Sequence, residues 1–317
     1  MLRASKMEDL ELVIIGAGAA GLAAGIYAVR SGLKTVVLEE KLAGGTAADA
    51  PIIENYPGFP SVSGSELAQK MVAHAKGAGV TLNEFETVAS LDVRNEKKRV
   101  QTQKAVYEAG AVIVASGSHY RQLSIPGERE FRGRGVSYCG ICDGPFFRGK
   151  RVLVVGGGNS AVMTTLYLAG IAAETKIVHR REAFRCEEAL TQSLKNMKNV
   201  EILWNTEIKE IRGDKVVQKA ILLDKNTGQT KELLTDGVFV QVGEDPNSQI
   251  AKEAGVAVDN DGYIIVDALQ RTNIGGVYAA GDVTNNPIKQ VGTAIGQGIT
   301  AALEAYGFIR RPYYHER

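Results

Sequence analysis

One pattern occurs twice in this chain and limits its fold more than any other feature. Residues 11 to 15 (ELVII) form an apolar run that stops at Gly16, a helical stretch follows from Gly18 to about Ser31, and a second apolar run covers Thr35 to Leu38. Residues 151 to 155 (RVLVV) run into Gly156-Gly157-Gly158, a helix reaches about Gly170, and a strand follows from Lys176 to Val178. Each copy reads as strand, tight turn, helix, strand, the opening of a dinucleotide fold. The expected class is α/β: two Rossmann-like dinucleotide-binding domains of three layers, the second inserted into the first.

The insertion is inferred from the chain beyond the second copy. After residue 248 the composition shifts, and Val277 to Ala280 leads into Gly281-Asp282 and a final helix carrying Ile295, Ile299, Leu303 and Tyr306. No third complete unit is present, so this last segment reads as the return of the first domain. The expected domains are 1–120 with 248–317, and 121–247, with crossings near His119 to Ser124 and Gly243 to Asn247. Gly or Pro lies near both crossings, as in a paired hinge. At 317 residues the chain is long for one core and comfortable for two. Between the copies, Ser63 and Glu66 have capping-box spacing ahead of Leu67, Met71, Ala75 and Ala78, which share one helix face. Alternating segments from about 80 to 115 suggest antiparallel strands closing on Ala111 to Ala115.

Composition removes several classes of function. The net charge of +1 does not favour nucleic acid or an anionic membrane as partner. No apolar run approaches the roughly 20 residues of a membrane span, and polar residues 1 to 9 lack the centre of a signal peptide, so a cytoplasmic protein is expected. Three cysteines, two of them in a CxxC, fit a reducing compartment with one working redox pair.

The motifs carry the chemistry. In the first turn, Gly16, Gly18 and Gly21 let the chain close tightly and let backbone amides approach a pyrophosphate at a helix N-terminus. Glu39, at the end of the next strand, is placed to accept from a ribose hydroxyl; the plain alternative is an exposed strand end. The second turn has Gly156, Gly158 and Ala161, with Ser160 beside them, and its strand ends in His179, Arg180 and Arg181, with Arg185 one helical turn further. Guanidinium forks suit a 2′-phosphate by charge and geometry, which favours NADPH over NADH, against the alternative of a solvated basic cluster. Cys139 and Cys142 can form a reversible disulfide. Zinc would need two more ligands, and only Cys186 and four scattered histidines are available, so no metal is expected. Asp143, next to Cys142, is either the proton donor and acceptor of thiol exchange or a local cap.

Taken together, GAGAAG, ENYPGF (Glu54 to Phe59), CGICDG, GGGNSA, HRREAFR, GVYAAGD and the Gln290 to Gly298 segment resemble the low-molecular-weight thioredoxin reductases of the pyridine nucleotide-disulfide oxidoreductase family. The likeness runs from about Leu12 to Tyr306 and keeps motif order. It implies a homodimer with FAD in the discontinuous domain, and NADPH plus the CxxC in the inserted one. Gly16, Gly18, Gly21, Glu39, Asn55, Asp282, Gln290 and Val291 fall at FAD positions. The helix starting near Gln290 and Val291 would set amide donors and a positive dipole end against the charge of reduced flavin. By the same likeness Cys142 faces the flavin, Cys139 exchanges with the thioredoxin disulfide, Asp143 is the acid/base residue, and the inserted domain rotates about its hinge. Arg134 and Phe146 match positions used to dock thioredoxin; the alternative is an exposed Arg and a packed Phe.

Three departures stand out. Met163 replaces a Glu usual after the second turn, Glu244 replaces a hinge His, and Thr46 replaces a Gln near the flavin. The first two lie near the nicotinamide in relatives, so another donor, a deazaflavin or a ferredoxin, is one alternative to NADPH. A flavin redox sensor without turnover is another. Lone Cys186 reads as a packed small hydrophobe.

Overall fold

The computed structural model describes residues 6–310 apart from Pro51 and Glu187; residues 1–5 of the N-terminal segment considered for targeting lie outside the described residues. The chain divides into two compact units, one ending at His119 and resuming at Asp245, the other running from Tyr120 to Glu244.

In the first unit the elements are β1 (Lys6–Ile15), α1 (Ala19–Arg30), β2 (Thr35–Leu38), α2 (Gly64–Gly77), β3 (Thr81–Asn83), β4 (Val88–Asp92), β5 (Lys98–Thr102), β6 (Ala105–Val114) and β7 (Ser118–Tyr120), whose last residue begins the second unit. The sheet runs β3-β2-β1-β6-β5-β4. β1 pairs parallel with both β2 and β6, whereas β4 and β5 form an antiparallel hairpin on β6. Side chains on β1 alternate as strand geometry requires. Leu12 and Ile14 join a cluster with Leu22, Ala24 and Ala28 of α1, while Val13 and Ile15 join Val88, Leu91 and Val100 on the opposite face. The parallel strands are thus covered by helices on one face and, on the other, by the β4–β5 hairpin, which continues from β6 and packs against Val13, Ile15, Val36 and Leu38, giving three layers. α2 starts where the capping-box spacing places it: Ser63 Oγ accepts from the amide of Glu66, while the Glu66 carboxylate turns to Lys70.

The second unit holds β8 (Val136–Ser137), α3 (Gly140–Asp143), β9 (Arg151–Gly156), α4 (Asn159–Ala169), β10 (Glu174–Val178), α5 (Glu188–Lys195), β11 (Val200–Leu203), β12 (Thr206–Gly213), β13 (Val217–Asp224), β14 (Thr230–Leu234) and β15 (Gly237–Gln241). Its parallel sheet runs β11-β10-β9-β15-β8, and β12-β13-β14 form a separate antiparallel sheet. Val152 and Val154 of β9 face Ala161, Val162 and Leu168 of α4. Leu153 and Val155 face Ile208, Val217 and Leu222 of the antiparallel sheet. The same three layers are therefore built twice.

β16 (Glu244–Pro246) pairs with β7, so the two crossing segments form one two-stranded ribbon. The chain then adds α6 (Gln249–Glu253), β17 (Val277–Ala279), parallel to the end of β6, and α7 (Val291–Arg310). α7 buries the large residues that the sequence displays only in part: Ile295, Ile299 and Tyr306 are half-buried. Leu303 is 42% exposed, and the buried stripe is Ala294, Gly298, Ala301, Ala302 and Ala305. The reason is steric: a Cβ at Gly298 would stand 2.1 Å from the carbonyl oxygen of Ala20, so α7 meets α1 backbone to backbone. Among the described residues no helix is long and apolar enough to cross a membrane.

Candidate functional site

Each unit gathers its own set of the residues singled out from sequence. In the first, Gly16 has a φ of 102°, and a Cβ there would sit 2.4 Å from the carbonyl oxygen of Ala115. A Cβ at Gly21 would lie 1.9 Å from the oxygen of Gly16. Both glycines are thus demanded by the turn itself. Gly18 differs. It is the N-cap of α1 in ordinary extended geometry, and a Cβ there would touch nothing nearer than Gly45 Cα at 3.7 Å. Neither backbone strain nor tight packing explains the missing side chain, whereas a ligand closing on the helix amides does.

Glu39 belongs to this turn physically as well as by spacing. Its carboxylate accepts from the amide of Ala17 at 2.8 Å and from that of Lys41 at 2.9 Å, leaving further lone pairs for a ribose hydroxyl. Asn55 Nδ2 donates to Gln290 Oε1 at 3.1 Å, which joins the ENYPGF segment to the start of α7. Val291 packs there on the cluster of Ile53, Val62 and Leu67. Asp282 follows β17, and burial raises its carboxyl above the ordinary range, with Lys289 opposing.

Sequence reasoning missed several supports. Gly44 donates to the carbonyl of Ala17, and Gly45, at φ 65°, lies so close that a Cβ would be 2.8 Å from Gly18 Cα. The adjacent pair Gly44-Gly45 was the available signal. Thr46 is exposed in the short turn that follows. Gln297 accepts from the amide of Gly281 at 2.7 Å inside the core, and no local pattern announces it.

In the second unit the turn repeats with one change. A Cβ at Gly156 would stand 2.2 Å from the oxygen of Gln241, and Ala161, wholly buried, fills the third position with a methyl group. Gly158 is again the N-cap of a helix, in extended geometry, with nothing within 4 Å of an added Cβ. Ser160 is exposed in the first turn of α4. Both open glycines fit a pyrophosphate.

The end of β10 is where the two units part. Arg180, Arg181 and Arg185 are exposed, and their charges converge on His179. Residues 181–186 form no helix, so Arg185 is carried back not by a helical turn but by its own amide, which donates to the oxygen of Gly157 at 2.7 Å. His179 is only 6% exposed. Its ring lies under Gly157, where a Cβ would be 2.2 Å away, and it packs near Phe184 and Trp204. Burial lowers its pKa, a backbone hydrogen bond with Ala183 opposes, and the three guanidiniums lower it further. The imidazole is therefore a neutral floor to the turn, and its Nε2 has no hydrogen-bond partner among the described residues.

Cys139 and Cys142 are joined as a disulfide, with Cα atoms 5.3 Å apart. Cys139 caps α3, its Sγ accepting from the amide of Cys142 at 3.2 Å. Ser137 Oγ accepts from the amide of Cys139. A Cβ at Gly140 would lie 2.5 Å from Thr164 Cγ2, so the pair is seated directly on α4. Burial raises the Asp143 carboxyl above the ordinary value of 3.8, and a hydrogen bond from Ser137 partly offsets it. Cys186 is half-buried with its Sγ 3.1 Å from Thr191 Oγ1. Arg134 is exposed over the ring of Phe131, and Phe146 is half-buried against the α4 cluster.

Comparison with known proteins agrees with this chemistry. Residues 10–298 match the family described as pyridine nucleotide-disulphide oxidoreductase. Thioredoxin reductase of Bacillus subtilis is 39% identical over 96% of this chain and 96% of its own. The crystal structure of thioredoxin reductase from Streptococcus pyogenes superimposes with a TM-score of 0.91 at 37% identity, covering 98% of this chain and 100% of that one. A ferredoxin-flavin thioredoxin reductase from Clostridium acetobutylicum is 34% identical, with a TM-score of 0.53 over 96% of this chain and 100% of its own. A doubled glycine-turn scaffold, a CxxC disulfide on the second copy and full-length kinship to thioredoxin reductases place this chain in the pyridine nucleotide-disulphide oxidoreductase family.

Proposed function

We propose that this protein is a thioredoxin-disulfide reductase that uses FAD and NADPH, and the observation that carries the proposal is the Cys139–Cys142 disulfide seated on the helix of the second glycine turn. When bound, the two cofactors supply a hydride from the nicotinamide and two-electron reduction of the disulfide by flavin. FAD is held by the amides after Gly16 and Gly18, by Glu39 at the ribose, and by Asn55, Asp282, Gln290 and Val291, with the α7 N-terminus offering its dipole. NADPH is held by the turn of Gly156, Gly158, Ser160 and Ala161 and, at its 2′-phosphate, by Arg180, Arg181 and Arg185, with His179 as the floor beneath.

The dithiol then works by exchange. Cys139 thiolate attacks the partner disulfide, forming a mixed disulfide and expelling one partner thiolate, which takes a proton. Cys142 thiolate attacks Cys139 Sγ, restoring the Cys139–Cys142 bond and releasing the partner as a dithiol. Asp143 holds and passes the proton, and its raised pKa keeps it protonated to higher pH than an ordinary carboxyl. Arg134 and Phe146 are the docking contacts, and the working form is a cytoplasmic homodimer. In steady state with NADPH and oxidised thioredoxin the flavin-loaded protein turns over, and Cys142→Ser abolishes turnover while FAD stays bound. Retained turnover in that variant overturns the assignment of the dithiol.

A second reading keeps the relay and changes the donor. Met163 is 52% exposed near the start of α4, Glu244 begins β16, and one similar structure carries ferredoxin in its name. Anaerobic stopped-flow with NADPH separates the two: flavin absorbance bleaches within seconds under the first reading and persists under the second.

A further inference from the structure

Glu128 is 3% exposed, yet no step of the proposed reaction uses it. Its carboxylate accepts from the amide of Leu123 at 2.9 Å, from the amide of Ser124 at 2.7 Å and from the phenol of Tyr138 at 2.9 Å. These donors come from two places that matter. Leu123 and Ser124 lie just past the first crossing, and Ser124 has a φ of 58°, a left-handed conformation that is unfavourable for a non-glycine residue. Tyr138 is the residue before Cys139.

Further contacts within the second unit hold the segment around Glu128 in place. Arg121 donates its amide to the oxygen of Gly243, tying the outgoing crossing to the returning one. A Cβ at Gly127 would be 1.9 Å from the oxygen of Ile211, and Ile211 donates to Pro126, so the segment around Glu128 is pinned to β12. Tyr138 stacks on Tyr120, the first residue of the second unit, with centroids 5.3 Å apart. Gln241 Nε2 donates to the Tyr138 carbonyl at 2.7 Å. Burial first, and the Glu128 carboxylate second, raise the Tyr138 pKa, so its phenol remains a donor throughout the working range. A buried carboxylate left short of donors is strongly unfavourable, which gives this network a single preferred arrangement.

We propose that Glu128 is a positioning residue that locks the strained Leu123–Ser124 turn at the crossing to Tyr138, so that the crossing and the backbone entering Cys139 move as one piece. The functional half of this statement rests on the dithiol reading of Cys139 and Cys142; the mechanical half does not. The alternative is a buried cap that stabilises its own turn and nothing else.

Tyr138→Phe removes only the link and leaves both backbone donors on Glu128. Hydrogen–deuterium exchange on the full-length, flavin-loaded chain is expected to show faster uptake both in residues 137–142 and in residues 121–126. Turnover with thioredoxin is expected to fall roughly five- to tenfold in kcat with KM unchanged, because one charge-assisted hydrogen bond is lost and no partner contact is. Ferricyanide, which accepts electrons from flavin without the dithiol, is expected to be reduced at the wild-type rate. Glu128→Gln, where it folds, is expected to loosen 121–126 further. Uptake confined to 137–142, or a turn that loosens while kcat is untouched, overturns the proposal. Wild-type protein that never reduces thioredoxin sinks the function and leaves the exchange result to judge the link.

Discussion

The two glycine turns are the same device with different endings. Gly16 and Gly156 each back onto a carbonyl of a neighbouring segment, at 2.4 and 2.2 Å from an added Cβ, and Gly18 and Gly158 each leave the helix N-terminus open. The charge at the end of the second strand differs in sign between them. The first copy ends in a carboxylate that accepts from the turn it faces, the second in three exposed guanidiniums over a buried neutral imidazole. On the proposed reading the shared part binds what all dinucleotides share, and the strand end discriminates among them.

The third glycine position offers the sharpest break. Gly21→Val is expected to destabilise the first unit by about 3 kcal/mol and to abolish flavin uptake, since the branched side chain collides with the Gly16 carbonyl. Gly158→Ala meets nothing, so its melting temperature is expected to match wild type while affinity for NADPH falls. Equal loss of stability in both variants, measured by thermal melting, would erase the distinction between a glycine demanded by the turn and one demanded by a ligand.

At the strand ends the expected effects are smaller. Arg180→Ala with Arg181→Ala is expected to raise KM for NADPH roughly 10- to 100-fold with little change in kcat, as loss of uniform binding should. An unchanged KM would make the cluster surface charge. Glu39→Gln is expected to weaken FAD binding about tenfold, close to the worth of one hydrogen bond to a charged group. Flavin titration of the apoprotein measures it, and an unaltered Kd would return Glu39 to an ordinary strand end.

The imidazole under the second turn predicts the smallest effect. Burial depresses its folded pKa, so the unfolded chain binds the proton first, and stability drops as pH falls through the ordinary value of 6.5. His179→Phe is expected to remove that slope. A slope that persists would place the titrating group elsewhere.

The architecture was legible because its signals are local. The apolar runs, the glycine turns and the Ser63 cap each sit within a few residues, and the strands at 11–15, 35–38 and 151–155 lie inside β1, β2 and β9. The features that escaped depend on contacts distant in sequence. The small stripe of α7 takes the fully buried positions, leaving Ile295, Ile299 and Tyr306 half-buried, because Ala20, far away in the chain, needs Gly298 at close range. The antiparallel sheet of β12, β13 and β14 has no motif to announce it. Gly44, Gly45, Gln297 and Glu128 matter only once their partners are in place. His179 looks like part of a basic patch in sequence and is buried, because Gly157 leaves room for its ring.

The central claim is that electrons held by a bound flavin leave through Cys139 and Cys142 to a thioredoxin disulfide. Anaerobic protein loaded with FAD and titrated with dithionite until the flavin is bleached, with two electron pairs per wild-type chain for flavin and disulfide and one per Cys142→Ser chain, tests it without reference to the natural donor. On addition of oxidised thioredoxin the yellow absorbance is predicted to return in the wild type and to stay bleached in Cys142→Ser. A wild type that stays bleached, or a variant that recovers equally fast, contradicts the account.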